Sequence, residues 1–182
     1  MEKKASPRES GRSNGEGLWQ QLDRVHEVQE ELLGHIRKQS RQYPEIKRFK
    51  QMPGIGTVHA ATISAIVETP HRFAHKKKLW MYAGLGLAEK SSGEKVYSRS
   101  LTRSYNRLLK NALKQAAEAA IIAKDNQFIR QYLRLMIEKG MPSHRAKLTV
   151  ARSILATIYG IWKSGEDYDP DIDKRRAESD KT

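Results

Sequence analysis

The sequence predicts a mainly α fold: a helical domain with a helix-hairpin-helix-like platform, a small extended hairpin insertion and an N-terminal helical arm. Three observations predict it. Apolar residues recur at three- and four-residue steps through successive segments of the second half. Thr69-Pro70, Gly140 and Pro142 fall at the ends of those segments rather than inside them. The periodicity gives way to an extended pattern only around Ser91-Ser92-Gly93.

With 182 residues the chain has room for one core and an arm, not for two full domains. The 34 Lys and Arg against 21 Asp and Glu give a net charge of +13, so the expected partner is a polyanion, nucleic acid first. The excess is local: from Arg72 to Lys114 there are eleven Lys or Arg and two acids, Glu89 and Glu94, whereas the segment after Glu166 mixes signs. The chain has no cysteine, which excludes disulfides, thiolate zinc sites and a cysteine nucleophile. No apolar run is long enough to span a bilayer, and Met1 to Gly17 lack the apolar core of a signal peptide, so the expected location is cytoplasmic, at the nucleoid.

Residues 1–17 are polar and nearly free of large apolar side chains, which predicts a disordered tail. Residues 18–50 form the helical arm. Leu18, Leu22, Val25, Leu32 and Ile36, with Gln29 in the stripe, keep a heptad-like step. Two readings stay open: one face packed on its own domain, or a coiled-coil arm that dimerises. Residues 51–170 form the main domain and 171–182 a charged tail.

Within the main domain, Met52-Pro53-Gly54-Ile55-Gly56-Thr57 reads as a turn between two helices. Gly54 and Gly56 permit conformations and close approaches that a side chain would block, Ile55 plugs the gap, and the amides from Thr57 onward face an anion. Such a hairpin grips phosphates without reading bases; a plain turn between packed helices is the alternative. The second helix, Thr57 to Glu68, offers Val58, Ala61, Ile63, Ala65, Ile66 and Val67 for packing. A third spans Ala74 to Tyr82, with Leu79 and Trp80 inward and Lys76, Lys77 and Lys78 at its exposed start. Gly84-Leu85-Gly86 then repeats the pattern of Gly54-Ile55-Gly56, which suggests a paired hairpin platform.

Two short extended pieces follow, flanking Ser91-Ser92-Gly93. A helix from Thr102 buries Leu108, Leu109, Ala112, Leu113, Ala116, Ala117, Ala120 and Ile121, while Arg103, Arg107, Lys110 and Lys114 share one side. Asn126 to Glu138 carries Phe128, Ile129, Tyr132, Leu133, Leu135, Met136 and Ile137 as core. A last helix, Ser143 to Lys163, buries a stripe from Ala146 to Trp162.

A serine needs activation and stabilisation of the charge that develops on attack. No Gly-x-Ser-x-Gly elbow accompanies Ser91 or Ser92, so ester or peptide hydrolysis is not indicated. Lys90, Lys95 and Arg99 suit a phosphate better. Of the six histidines only His71 and His75 stand close together, and Glu68, Glu89 and Glu94 stand apart, so no metal site is expected in this chain. On these grounds alone Ser-Ser-Gly is also a common turn.

Read in order, Met52-Pro53-Gly54-Ile55-Gly56, Arg72-Phe73, Leu79 with Tyr82-Ala83-Gly84-Leu85, Ser91-Ser92-Gly93, Asn106-Arg107-Leu108-Leu109 with Ala112-Leu113, and Tyr168-Asp169-Pro170 resemble the C-terminal, serine-bearing domain of the insertion-sequence one-ten, one-sixteen and nine-oh-two transposases. The resemblance covers about residues 18–170. It implies DNA transposition and recombination of a mobile element, with Ser92 (fallback Ser91) as the nucleophile of a phosphoserine link to DNA. The hairpin and the cations add expected contacts to DNA from Gly54, Gly56, Thr57, Lys90, Lys95, Arg99, Arg103, Arg107, Lys110 and Lys114. The resemblance further implies a structured guide RNA and an acidic RNase-H-like domain, absent here, that would bring Mg2+ and without which this chain is incomplete for catalysis; the Leu18 to Ile36 helix, as a pairing arm, adds the expectation of a homo-oligomer. One departure is Ser104-Tyr105-Asn106, where the family commonly has a basic residue, glycine and asparagine. The rival expectation is a non-catalytic helix-hairpin-helix nucleic-acid-binding module, or a transposase remnant.

Overall fold

The computed structural model describes residues 7–92, 95–101 and 104–171; for 7–14 and 88–100 it describes the backbone alone. The expected contributions of Arg103 and of the charged tail from residue 172 lie outside the described residues, as do residues 1–6.

The chain divides into two compact units, residues 1–39 and 40–182. The first is a single helix, α1 (Pro7–Ser40), which starts at Pro7 rather than at Leu18. At 34 residues it is about 50 Å long. Its stripe residues are solvent-exposed, Leu18 at 67%, Val25 at 61% and Leu32 at 56%.

The second unit is the predicted helical domain, with α2 (Pro44–Phe49), α3 (Thr57–Val67), α4 (Lys76–Tyr82), α5 (Arg107–Ile122), α6 (Gln127–Ile137) and α7 (Ser143–Ser164), plus a two-stranded antiparallel insertion, β1 (Leu87–Ser92) and β2 (Lys95–Leu101). Helix α7 is its axis and packs on α2, α4, α5 and α6. Ala146, Val150, Ala151, Ile154 and Leu155 are fully buried along it. Ala116, Ala117 and Ala120 of α5 are fully buried as well. Trp162 meets Phe49 of α2 edge-on at 5.0 Å, and the Tyr159 hydroxyl donates to the Phe73 carbonyl. Gly165 ends α7 in the left-handed conformation with φ +75°.

Asn126 joins two helices. Its side-chain oxygen accepts from the amides of Phe128 and Ile129 at the start of α6, while its Nδ2 donates to the Ala120 and Ala123 carbonyls that end α5. One buried side chain therefore satisfies orphan groups at both termini.

Several boundaries and faces differ from expectation. Helix α5 starts at Arg107, capped by Asn106, because the extended strand β2 runs on to Leu101. Leu108 is 70% exposed, one position off the stripe that Leu109, Leu113, Ala116 and Ala120 define. In α6 only Phe128 and Leu135 are buried; Leu133 and Ile137 face solvent because α6 packs through one narrow edge against α5 and α7. Val58 and Ala65 are likewise on the exposed side of α3. Helix α4 begins two residues later than Ala74, after a 3-10 turn at Pro70–Arg72 that Thr69 caps through the His71 amide.

Candidate nucleic-acid interface and serine hairpin

Two glycine turns shape this face. At the first, Gly54 has φ +82°, a region L side chains disfavour, and a Cβ there would sit 2.2 Å from the Ala116 carbonyl oxygen and 2.6 Å from the Ala120 amide nitrogen. Gly54 therefore serves the packing of the turn on α5 rather than the approach of a ligand. Ile55 fills the core behind it, 5% exposed, as expected. Gly56 is different: it is exposed, has open space where a Cβ would be, and is the N-cap of α3 without any side-chain cap. Thr57 is the first helical residue. His59 ties the turn to α5, one ring nitrogen near the Gly54 carbonyl at 3.4 Å and the other 3.2 Å from the Gln115 side-chain oxygen.

At the second turn Gly84 has φ +66°, and a Cβ would lie 2.4 Å from Cγ of Tyr105. The unexpected tyrosine thus lays its ring against a glycine that has no side chain to object. Leu85 is fully buried, the counterpart of Ile55. After Gly86 the chain enters β1, not a helix, so the likeness of the two motifs lies in the turns and not in a second helical pair.

Both feet of the hairpin stand on the last turn of α4. On the entry side the Leu85 and Gly86 amides donate to the Trp80 carbonyl at 2.8 and 2.9 Å; on the exit side the Asn106 amide donates to the Tyr82 carbonyl at 2.9 Å. Helix α7 braces the entry foot. Arg152 Nε donates to the Leu85 carbonyl and the Trp80 indole donates to the Arg152 carbonyl. Half-burial lowers the Arg152 guanidinium below its ordinary value by desolvation, although a guanidinium keeps its charge.

The strands pair Leu87 with Leu101, Glu89 with Arg99 and Lys90 with Ser98; then the register shifts, so that Ser91 faces Val96 and Ser92 faces Lys95. Tyr97 is the extra residue of this bulge. Bulges twist a strand pair and re-aim what lies beyond, and they recur beside functional residues. Beyond this one lie Ser91 and Ser92, with Lys95 opposite Ser92 on the neighbouring strand. Lys90 and Arg99 occupy the strands below the bulge.

Helix α5 begins directly after the exit foot. Arg107 and Lys114 are exposed on it, and Lys110 places its ammonium 4.1 Å from the centre of the Tyr105 ring. The structure thus brings Lys110 and the Gly84 turn together through Tyr105, while Gly56 and Thr57 belong to the other turn. The roles that sequence reasoning missed, those of Trp80, Tyr105 and Arg152, act across separations as long as 72 residues, for which a single sequence carries no signal.

Among the described residues no group of three or more His, Asp or Glu is placed to hold a metal ion. Among the same residues, no helix is long and apolar enough to cross a membrane.

Residues 46–133, which run from α2 through both glycine turns and the hairpin into α6, match the family model described as Transposase IS116/IS110/IS902 family. Over 148 residues, 81% of the chain, the sequence is 28% identical to the "Insertion element IS110 uncharacterized 43.6 kDa protein" of Streptomyces coelicolor. The match spans 36% of that protein's length. Both similarities are to insertion-element proteins that bear the IS110 name.

Proposed function

We infer that this chain is the serine-bearing, DNA-binding part of a transposase, with Ser92 as nucleophile. One observation carries the reading: a hairpin clamped at both feet on α4 bulges immediately before Ser91 and Ser92, which are the last residues of its first strand. A rigid base with a re-aimed tip suits a nucleophile that must meet one phosphorus in line. The Ser92 hydroxyl oxygen forms a bond to phosphorus as the bond from phosphorus to one deoxyribose oxygen breaks. The serine proton ends on the released sugar hydroxyl. Reversal by a different sugar hydroxyl rejoins DNA, and the phosphoserine conserves the energy of the cut.

Lys90, Lys95, Arg99, Arg103, Arg107, Lys110 and Lys114 neutralise the scissile and flanking phosphates. The open N-terminus of α3 at Gly56 and Thr57 anchors the backbone of the duplex or of a guide RNA, while Gly54 shapes that turn from inside. The exposed stripe of α1 pairs protomers. An acidic RNase-H-like domain, in cis or in trans, completes the site and brings Mg2+.

End-labelled DNA carrying candidate element junctions is incubated with the chain and magnesium, with and without the acidic domain in trans, and run on a denaturing gel. A shifted covalent band that disappears in Ser92→Ala and persists in Ser91→Ala is expected. Salt-sensitive binding with no adduct in any lane would leave the non-catalytic binding module instead.

A further inference from the structure

We propose that the cleft between α5 and the first turns of α7 is a clamp for a phosphodiester backbone, with α7 supplying a wall that the basic stripe of α5 does not foreshadow. The cleft has a volume of about 590 Å3 and is lined by Leu101, Lys110, Lys114 and Glu118 on one side and by Ser143, His144, Lys147 and Leu148 on the other. Three lysines from two helices converge on it against a single carboxylate. Repulsion among the ammonium groups is offset at Lys147 by the Glu118 carboxylate, and a bound anion would relieve what is left at Lys110 and Lys114.

Details of the lining agree with an extended anion and not with a buried small molecule. Leu101 and Leu148 add apolar surface to the lining, against which a sugar can rest. Lys110 is held over Tyr105 and Lys147 is paired with Glu118 at 3.2 Å, so both ammonium groups are already positioned. The Ser143 hydroxyl is engaged with Tyr132 at 2.9 Å, which fixes the first residue of α7. The positive end of the α7 dipole adds to the same field.

Placement decides which part of the strand is held. Leu101 is the last residue of β2 and pairs with Leu87 at the base of the serine hairpin, five residues from Ser92 along β1. At about 3.3 Å per residue this is roughly 17 Å. The clamp therefore holds backbone flanking the reacting phosphate and not that phosphate itself. The proposal rests on the nucleic-acid reading above, yet it stands apart from the nucleophile.

Fluorescence anisotropy at several salt concentrations tests it, with a labelled DNA duplex and a labelled single-stranded RNA as separate probes. Lys147→Gln is expected to weaken binding on the order of fivefold near 0.1 M salt and to reduce the slope of log affinity against log salt by about 0.9 on duplex or about 0.7 on a single strand. Lys114→Gln with Lys147→Gln should reduce it by about twice as much. Glu118→Gln, which releases Lys147 and removes the cleft's one carboxylate, should strengthen binding. The pair Lys124→Gln and Lys163→Gln, exposed and outside the cleft, is the control. A change confined to one probe identifies the strand that occupies the clamp. A slope for Lys147→Gln equal to wild type on both probes overturns the proposal. The covalent-adduct gel fails or succeeds independently, because loss of the adduct leaves the salt slope readable.

Discussion

The turns at Gly54-Ile55-Gly56 and Gly84-Leu85-Gly86 share a sequence pattern and a backbone solution, but they are packed in different ways. Each opens with a glycine at positive φ and buries its middle residue in the core. Gly54 presses on the backbone of α5, which cannot yield, whereas Gly84 presses on the Tyr105 side chain, which can. The third glycines diverge further: Gly56 faces open space and starts a helix, while Gly86 is packed on Met81 and feeds a strand. Glycine spacing thus specifies a turn, and what the turn does depends on the element against which it is pressed.

The largest effect separates those two opponents. Gly54→Ala should cost about 3 kcal/mol or more, combining the left-handed backbone with overpacking against main chain. Gly84→Ala should cost about 2 kcal/mol. In a Tyr105→Ala background the Gly84→Ala penalty should fall by about 1 kcal/mol and the Gly54→Ala penalty should stay the same. Urea melts of the three single and two double variants measure this; equal shrinkage of both penalties would dissolve the distinction.

A smaller effect concerns the brace on the second turn. Arg152→Met leaves the Leu85 carbonyl without its donor and should cost about 1.5 kcal/mol. The first turn, which Arg152 does not touch, should be unaffected. Hydrogen exchange reads this locally: amides at Leu85 to Leu87 should lose protection while Ile55 and Ala60 keep theirs. Uniform loss across both turns would mean that Arg152 supports only global stability.

The smallest expected effect on stability is at Gly56. Its φ of −86° and open surroundings accommodate a methyl group, so Gly56→Ala should change stability by about 0.5 kcal/mol. DNA affinity should nevertheless fall several-fold, since the methyl group stands where a phosphate approaches the α3 amides. If stability and affinity are both unchanged, the first turn has no part in binding.

Legibility varied with range. The helical domain, the turn at Gly54 to Gly56 and the extended pieces around the serines were readable because periodicity, proline and glycine act within a few residues. Leu108, Leu133 and Ile137 were misread as core, since apolar character alone does not say which edge of a helix its neighbours cover. The role of Tyr105 was unreadable for the same reason: nothing near it in sequence reveals Gly84, and the separation conceals a direct packing contact. At the site, the cations of α5 were legible as a stripe, whereas Lys147 and His144 become its opposite wall only when α7 folds back.

By itself the sequence determined the basic character of the protein, its helical class and the position of the serine loop, because charge, hydrophobic period and turn chemistry are local properties. Only the tertiary structure decided that Gly54 packs inward while Gly56 stays open, that both feet of the hairpin stand on α4, and that α5 and α7 enclose a cleft. Those outcomes depend on which surfaces bury one another, and burial is settled by contacts between residues far apart in the chain.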